Sequence, residues 1–209
     1  MKRVADSFSR WSLVVFIGAA ALMAVLLLLA PVERTLGQLI KLVYLHGALV
    51  RIALLWLALS VVAHGVALAT RRDDARRWGR AMVLVAAAIW LLHTLVSMVT
   101  TYAAWGVWVA WFEPRTRFTF LYMAVLLIAF VVVYALDDEL YGSGVFLLVA
   151  ALPLILAPRL GVIQHPLDPI GTSPSTAIRL FYVAVLICAW AASLPWAVWA
   201  YQRVDGWRL

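Results

Sequence analysis

Six long stretches of the chain are almost free of charged side chains, at about 12–30, 42–69, 81–103, 118–136, 144–160 and 177–201, and the polar residues collect between them. None of the stretches alternates with a period of two, and each is far longer than the ~9–11 residues of a membrane barrel strand. A helix that crosses a bilayer needs about 20 apolar residues. The pattern therefore predicts an all-α polytopic membrane protein of six transmembrane helices, a single domain over residues 1–209. The second and sixth runs are long enough to tilt or to extend beyond the bilayer. The first follows Met1-Lys2-Arg3, but it is long for the core of a signal peptide and ends in Pro31-Val32-Glu33, which is no small-residue cleavage site, so it reads as a retained span. Pro153, Pro158, Gly161, Pro166, Pro169, Gly171 and Pro174 predict a kinked fifth helix followed by an irregular loop over 161–175.

Composition agrees and removes a class. At 66% hydrophobic and 13% charged, with a mean hydropathy of +0.98, the chain lies far from the roughly 45–50% apolar content of soluble domains, which excludes a soluble globular protein. The net charge of +7 does not point to nucleic acid, because in a membrane protein Lys and Arg in short loops set orientation. With six spans, ten of the 17 basic residues fall on the side of the two termini and six on the other, and Arg51 lies inside a span. Most of that bias sits in Arg71-Arg72-Asp73-Asp74-Ala75-Arg76-Arg77. The expected topology has both termini in the cytoplasm, which puts loops 104–117 and 161–175 at the outer face. The one cysteine, Cys188, lies in an apolar run, so no intrachain disulfide forms, and it reads as a small buried apolar residue. A Cys-x-x-Cys-His haem attachment sequence is also missing.

The eleven tryptophans and four histidines change the picture once they are placed on this topology. Trp105, Trp108 and Trp111 recur every three residues, a spacing that on a short interfacial helix gathers the indoles within an arc of about 120°. An ordinary aromatic belt gives the same enrichment. Glu113-Pro114-Arg115 follows. A carboxylate and a guanidinium beside an aromatic ledge can orient a flat, partly anionic ligand such as haem with its propionates, or can simply pair with each other at the interface. His46 lies near the outer end of the second span and His165 in the outer loop before the sixth. Neutral imidazole is a common axial ligand of haem iron, although a lone histidine at a helix end is often only a polar interfacial residue.

Three further residues bear on this site. His64 lies five turns below His46 on the same helix face, about 27 Å along the axis, which is the two-level spacing of a membrane cytochrome with two haems. That arrangement needs matching ligands on a second helix, and His93 in the third span falls at neither level, either as a satisfied polar residue or as part of an internal site. His64 is expected at the inner head-group region. Arg51, costly inside a span, requires a cavity, a protein interior or an acidic lipid group.

Gln38-Leu39-Ile40-Lys41-Leu42-Val43-Tyr44-Leu45-His46-Gly47-Ala48 resembles the Tyr-x-His segment of the cytochrome c assembly family of haem-handling membrane proteins, on its CcmC branch. The 104–117 loop resembles that family's tryptophan-rich signature, and 162–174 resembles its second outer histidine loop. The order of these features and the six-span layout agree over most of the chain. The loop ends Trp111-Phe112-Glu113-Pro114-Arg115 where the signature closes Trp-x-Trp-Asp, one residue earlier, and Pro166 follows the outer histidine where the family has a polar residue. The resemblance implies non-covalent haem b at the outer face of a prokaryotic inner (plasma) membrane. It implies His46 and His165 as axial ligands of the haem iron and the ledge of Trp105, Trp108 and Trp111 against the porphyrin, to which charge and placement add Glu113, Arg115 and Arg51 as candidates for the ligand's acidic groups. It further implies no catalysis of its own and delivery of haem to a chaperone or apocytochrome c, alongside an ABC-type transporter and other maturation subunits. A haem b anchor passing electrons between quinone and a respiratory partner, and a structural subunit without haem, are the alternatives.

Overall fold

A computed structural model describes residues 2–163 and 168–204, with side chains from residue 11 onward. Its helices are α1 (Lys2–Leu29), α2 (Ile40–Thr70), α3 (Asp73–Trp105), α4 (Pro114–Leu136), α5 (Glu139–Leu156) and α6 (Thr176–Arg203). All six are long and apolar enough to cross a bilayer, as the hydropathy pattern predicts. Among the described residues the one β feature is an isolated bridge between Glu33 and Gly37. Six crossings return the chain to the side on which it starts. The turns at 71–72 and 137–138 lie at the end of the bundle where α1 starts and α6 finishes, and the longer links, 30–39, 106–113 and the described parts 157–163 and 168–175 of the last, collect at the other.

The helices outrun the apolar stretches because polar residues start and stop them. Asp73 and Asp74 occupy the first turn of α3, where carboxylates meet the positive end of the helix dipole, and Arg76 pairs with Asp73 at 3.2 Å. Pro114 opens α4 at a position where its fixed φ suits the helix and its missing N–H is no loss. The Asp138 carboxylate accepts the Tyr141 N–H at 2.7 Å and caps α5, and Ser175 caps α6 in the same way through Ile178. α3 stops at Gly106, which takes φ +73° and returns its N–H to the Tyr102 carbonyl at 2.9 Å. α5 runs on through Pro153 for three residues before tightening into a 3₁₀ turn at Ala157–Arg159.

α2 is the central helix, packed against α3, α5 and α6. Tyr44, Ala48, Ala53 and Leu57 are fully buried along it, and the two alanines let neighbouring backbones approach. Trp56 lies against Trp190 in a tilted contact with ring centroids 4.7 Å apart and donates its indole N–H to Ser193 Oγ at 2.9 Å, which fastens α2 to α6. Cys188 is buried on α6, as its apolar surroundings predict. α1 lies outside this group, with its apolar stretch unburied and its main contact made to α6, including Phe16 5.9 Å from Trp196. In the turn after it, the Leu36 and Thr35 backbone N–H groups donate to Glu33 Oε2 at 2.7 Å each. Together they hold that carboxyl below its ordinary range.

One expectation fails at the end nearer the termini. His64 is completely buried, not a head-group residue. α3 presents Gly79 opposite it, and the space that glycine leaves is filled by the imidazole: a Cβ there would stand 2.7 Å from His64 Nε2. Phe146 of α5 covers the ring at 5.8 Å.

Candidate functional site in a cavity beneath the long links

A cavity of about 770 Å³ lies among α2, α3, α4 and α5 beneath the long links, within the ~300–1,000 Å³ typical of ligand pockets. Its walls are mostly apolar, and its chemistry is carried by His46 and Arg51 from α2, His93 from α3, Glu113 and Arg115 at the start of α4, and Tyr182 from α6.

His46 and His93 meet in its wall. Their rings stack with centroids 4.5 Å apart at an interplanar angle of 27°, and His93 Nδ1 stands 3.2 Å from the His46 carbonyl oxygen. A bond to that carbonyl makes Nδ1 the donor and leaves the lone pair on Nε2. This corrects the expectation that His93 falls at neither histidine level. His46 is six residues from the start of α2 and His93 twelve from the end of α3, or about 9 and 18 Å along their axes. α3 therefore projects further than α2, and counting from the ends of the apolar runs misplaces the ring.

The three tryptophans do not form a common face. Gly106 ends α3 and residues 106–113 form a non-helical link, so the expected interfacial helix is absent there. Trp105 and Trp108 line the cavity, Trp108 stacked on Tyr102 at 4.5 Å and Trp105 near Phe112 at 6.2 Å. Trp111 turns away to Phe120 at 5.0 Å and is 57% exposed. The ledge is thus made of two indoles.

Glu113 is only 2% exposed, and both its carboxylate oxygens accept the Ile163 N–H, at 3.1 and 3.2 Å. It joins the two long links that the sequence places at one face. Arg115 is half-buried, and its Nε has no hydrogen-bond partner among the described residues. Arg51 meets the cavity requirement of an intramembrane cation: it lines the wall, lies 4.8 Å over the Tyr182 ring and pairs with Asp168 at 3.0 Å. His165 lies outside the described residues, between Ile163 and Asp168, whose partners Glu113 and Arg51 both line the cavity.

The sequence reading missed Asp168 and Tyr182, and it left His93 open as either a satisfied polar residue or part of an internal site. A partial signal for Asp168 was present, because an acid is one of the surroundings that satisfy Arg51 inside a span and the 161–175 loop contains one. No sequence signal paired His93 with His46, since the contact depends on how two helices are offset. Such a cavity can hold a flat apolar molecule by ring stacking, orient an acidic group with two guanidinium groups, and offer imidazole nitrogen to a metal carried by that molecule. Among the described residues no three His, Cys, Asp or Glu side chains gather as ligands for a bare ion. No protein-family model matches the chain, and no curated protein matches it.

Proposed function

We propose that the protein handles haem: it holds haem b non-covalently at the outer face of a prokaryotic inner membrane and passes it to a chaperone or apocytochrome c. The observation that carries this reading is an imidazole, His46, in the wall of a cavity with a two-indole rim, Trp105 and Trp108, and two lining arginines, Arg51 and Arg115. The donor set fits the group. Imidazole suits haem iron, guanidinium groups suit propionates, and the buried Arg115 Nε still lacks an acceptor among the described residues. Bound haem supplies an iron centre whose oxidation state its surroundings tune. The chain's residues would grip the porphyrin, orient its acidic edge and ligate its iron, with no covalent chemistry of their own. His46 and His165 are the proposed axial pair. Support for His165 comes from its sequence neighbours, since Ile163 and Asp168 are both fastened to cavity residues. Resemblance to the cytochrome c assembly family favours onward delivery with a transporter complex and other maturation subunits.

A second reading rests on His93. Stacked against His46, it gives the cavity a second imidazole from within the membrane, which suits a haem b anchor exchanging electrons with quinone and a respiratory partner. Optical spectra of purified protein supplied with haem separate the two. A bis-histidine spectrum lost in His46→Ala and in His165→Ala supports delivery from the outer face. A spectrum that survives both but disappears in His93→Ala or His64→Ala favours the anchor. Protein that takes up no haem leaves only a structural subunit.

A further inference from the structure

The Arg51–Asp168 contact joins a helix residue inside a span to an acid of the 161–175 loop, and both line the cavity. An arginine at that depth must have an anion or a polar cavity, and in this structure its anion comes from the protein. The two side chains remain 42% and 39% exposed, so the pair is of the kind that contributes little net stability. Asp168 also belongs to a self-contained turn. Its Oδ1 accepts the Gly171 N–H at 3.0 Å, and its carbonyl accepts from Thr172 N at 3.1 Å and from Thr172 Oγ1 at 2.6 Å. Gly171 is required by this turn, since a Cβ there would fall 2.2 Å from Asp168 Oδ2. The turn is therefore complete without Arg51. Beside the guanidinium, the buried Tyr182 hydroxyl lacks a well-formed hydrogen bond among the described residues, and it packs onto Gly47, where a Cβ would be 3.3 Å away.

We propose that Arg51 and the Tyr182 hydroxyl form the carboxylate subsite of the cavity, and that Asp168 is its resident occupant, exchanged for a carboxylate of the incoming ligand. An Arg–carboxylate pair with a second donor beside it is favoured by geometry that a loop aspartate need not match. The ligand class follows: an apolar, flat body bearing at least one carboxylate. Binding releases the 168–173 turn from α2, so occupancy of the cavity is coupled to the loop that covers it. This rests on the haem reading for the identity of the ligand but not for the exchange itself.

The test uses metal-free protoporphyrin IX and its dimethyl ester as probes, titrated by fluorescence into the full-length protein in lipid nanodiscs, so that iron ligation plays no part. Asp168→Asn keeps an acceptor for Gly171 and removes the competing charge. The diacid is expected to bind that variant about threefold or more tighter than the parent, as loss of a weak competing ion pair implies, with ester binding unchanged. Arg51→Gln is expected to weaken diacid binding and to abolish the gain from Asp168→Asn in the double variant. Equal or weaker diacid binding by Asp168→Asn, a gain shared by the ester, or no diacid binding by the parent overturns the exchange. A bis-histidine haem spectrum alongside a silent Asp168→Asn leaves haem handling and removes the exchange; the exchange seen without any haem spectrum does the reverse.

Discussion

Gly79 lets α2 and α3 approach closely enough for the His64 imidazole to fill the space that a methyl group would occupy. Ser60 Oγ donates to the Gly79 carbonyl at 3.1 Å in the same place. Gly79→Ala is expected to destabilise the protein by about 1–3 kcal/mol through overpacking, read as a lowered thermal midpoint in detergent. His64→Ala on that background is expected to recover much of the loss, and an undiminished midpoint in Gly79→Ala alone would refute the close approach. Residues of this kind explain what the sequence could and could not reveal. The requirement of Arg51 for a cavity, a protein interior or an acidic group was legible because it follows from the cost of placing a charge inside a span. The burial of His64 was not, because it depends on which residue of another helix stands opposite.

Between α3 and α4, a three-residue tryptophan spacing fails to make a helix because Gly106 turns left-handed and Pro114 restarts the chain in a new direction. The spans themselves were legible to within a few residues at the apolar ends. Their polar ends were not, since Asp73, Asp138 and Pro114 extend helices by capping rather than by hydropathy. Glu113 joins this link to the next through the Ile163 N–H. Glu113→Ala is expected to cost about 1–3 kcal/mol, the usual penalty for stranding a buried donor or acceptor, and to lower haem retention through gel filtration. Glu113→Gln keeps an acceptor and is expected to retain most of both. Equal behaviour of the two variants would mean that the tie between the links is not what Glu113 supplies.

The whole molecule has short turns at one end and long links at the other, and the basic bias of its sequence predicts that the links lie outside. Cysteines introduced as Val107→Cys and Thr172→Cys, both at exposed positions, are expected to react with a membrane-impermeant maleimide from the outer side of intact cells. Arg72→Cys is expected to react only after lysis, and the buried Cys188 contributes little background. The opposite pattern would turn the bundle over and move the cavity to the cytoplasm. The position of α1 bears on how such a bundle is assembled. Its main partner is α6, so the other four described spans lie between the two partners in sequence. The packing of α1 on α6 is therefore a contact of long sequence separation, of the kind that is slow to form. α1 thus braces the cavity from outside: it packs on α6 and, at a few positions, on α2, which both contribute to the cavity wall, and none of its own described residues lines the cavity itself.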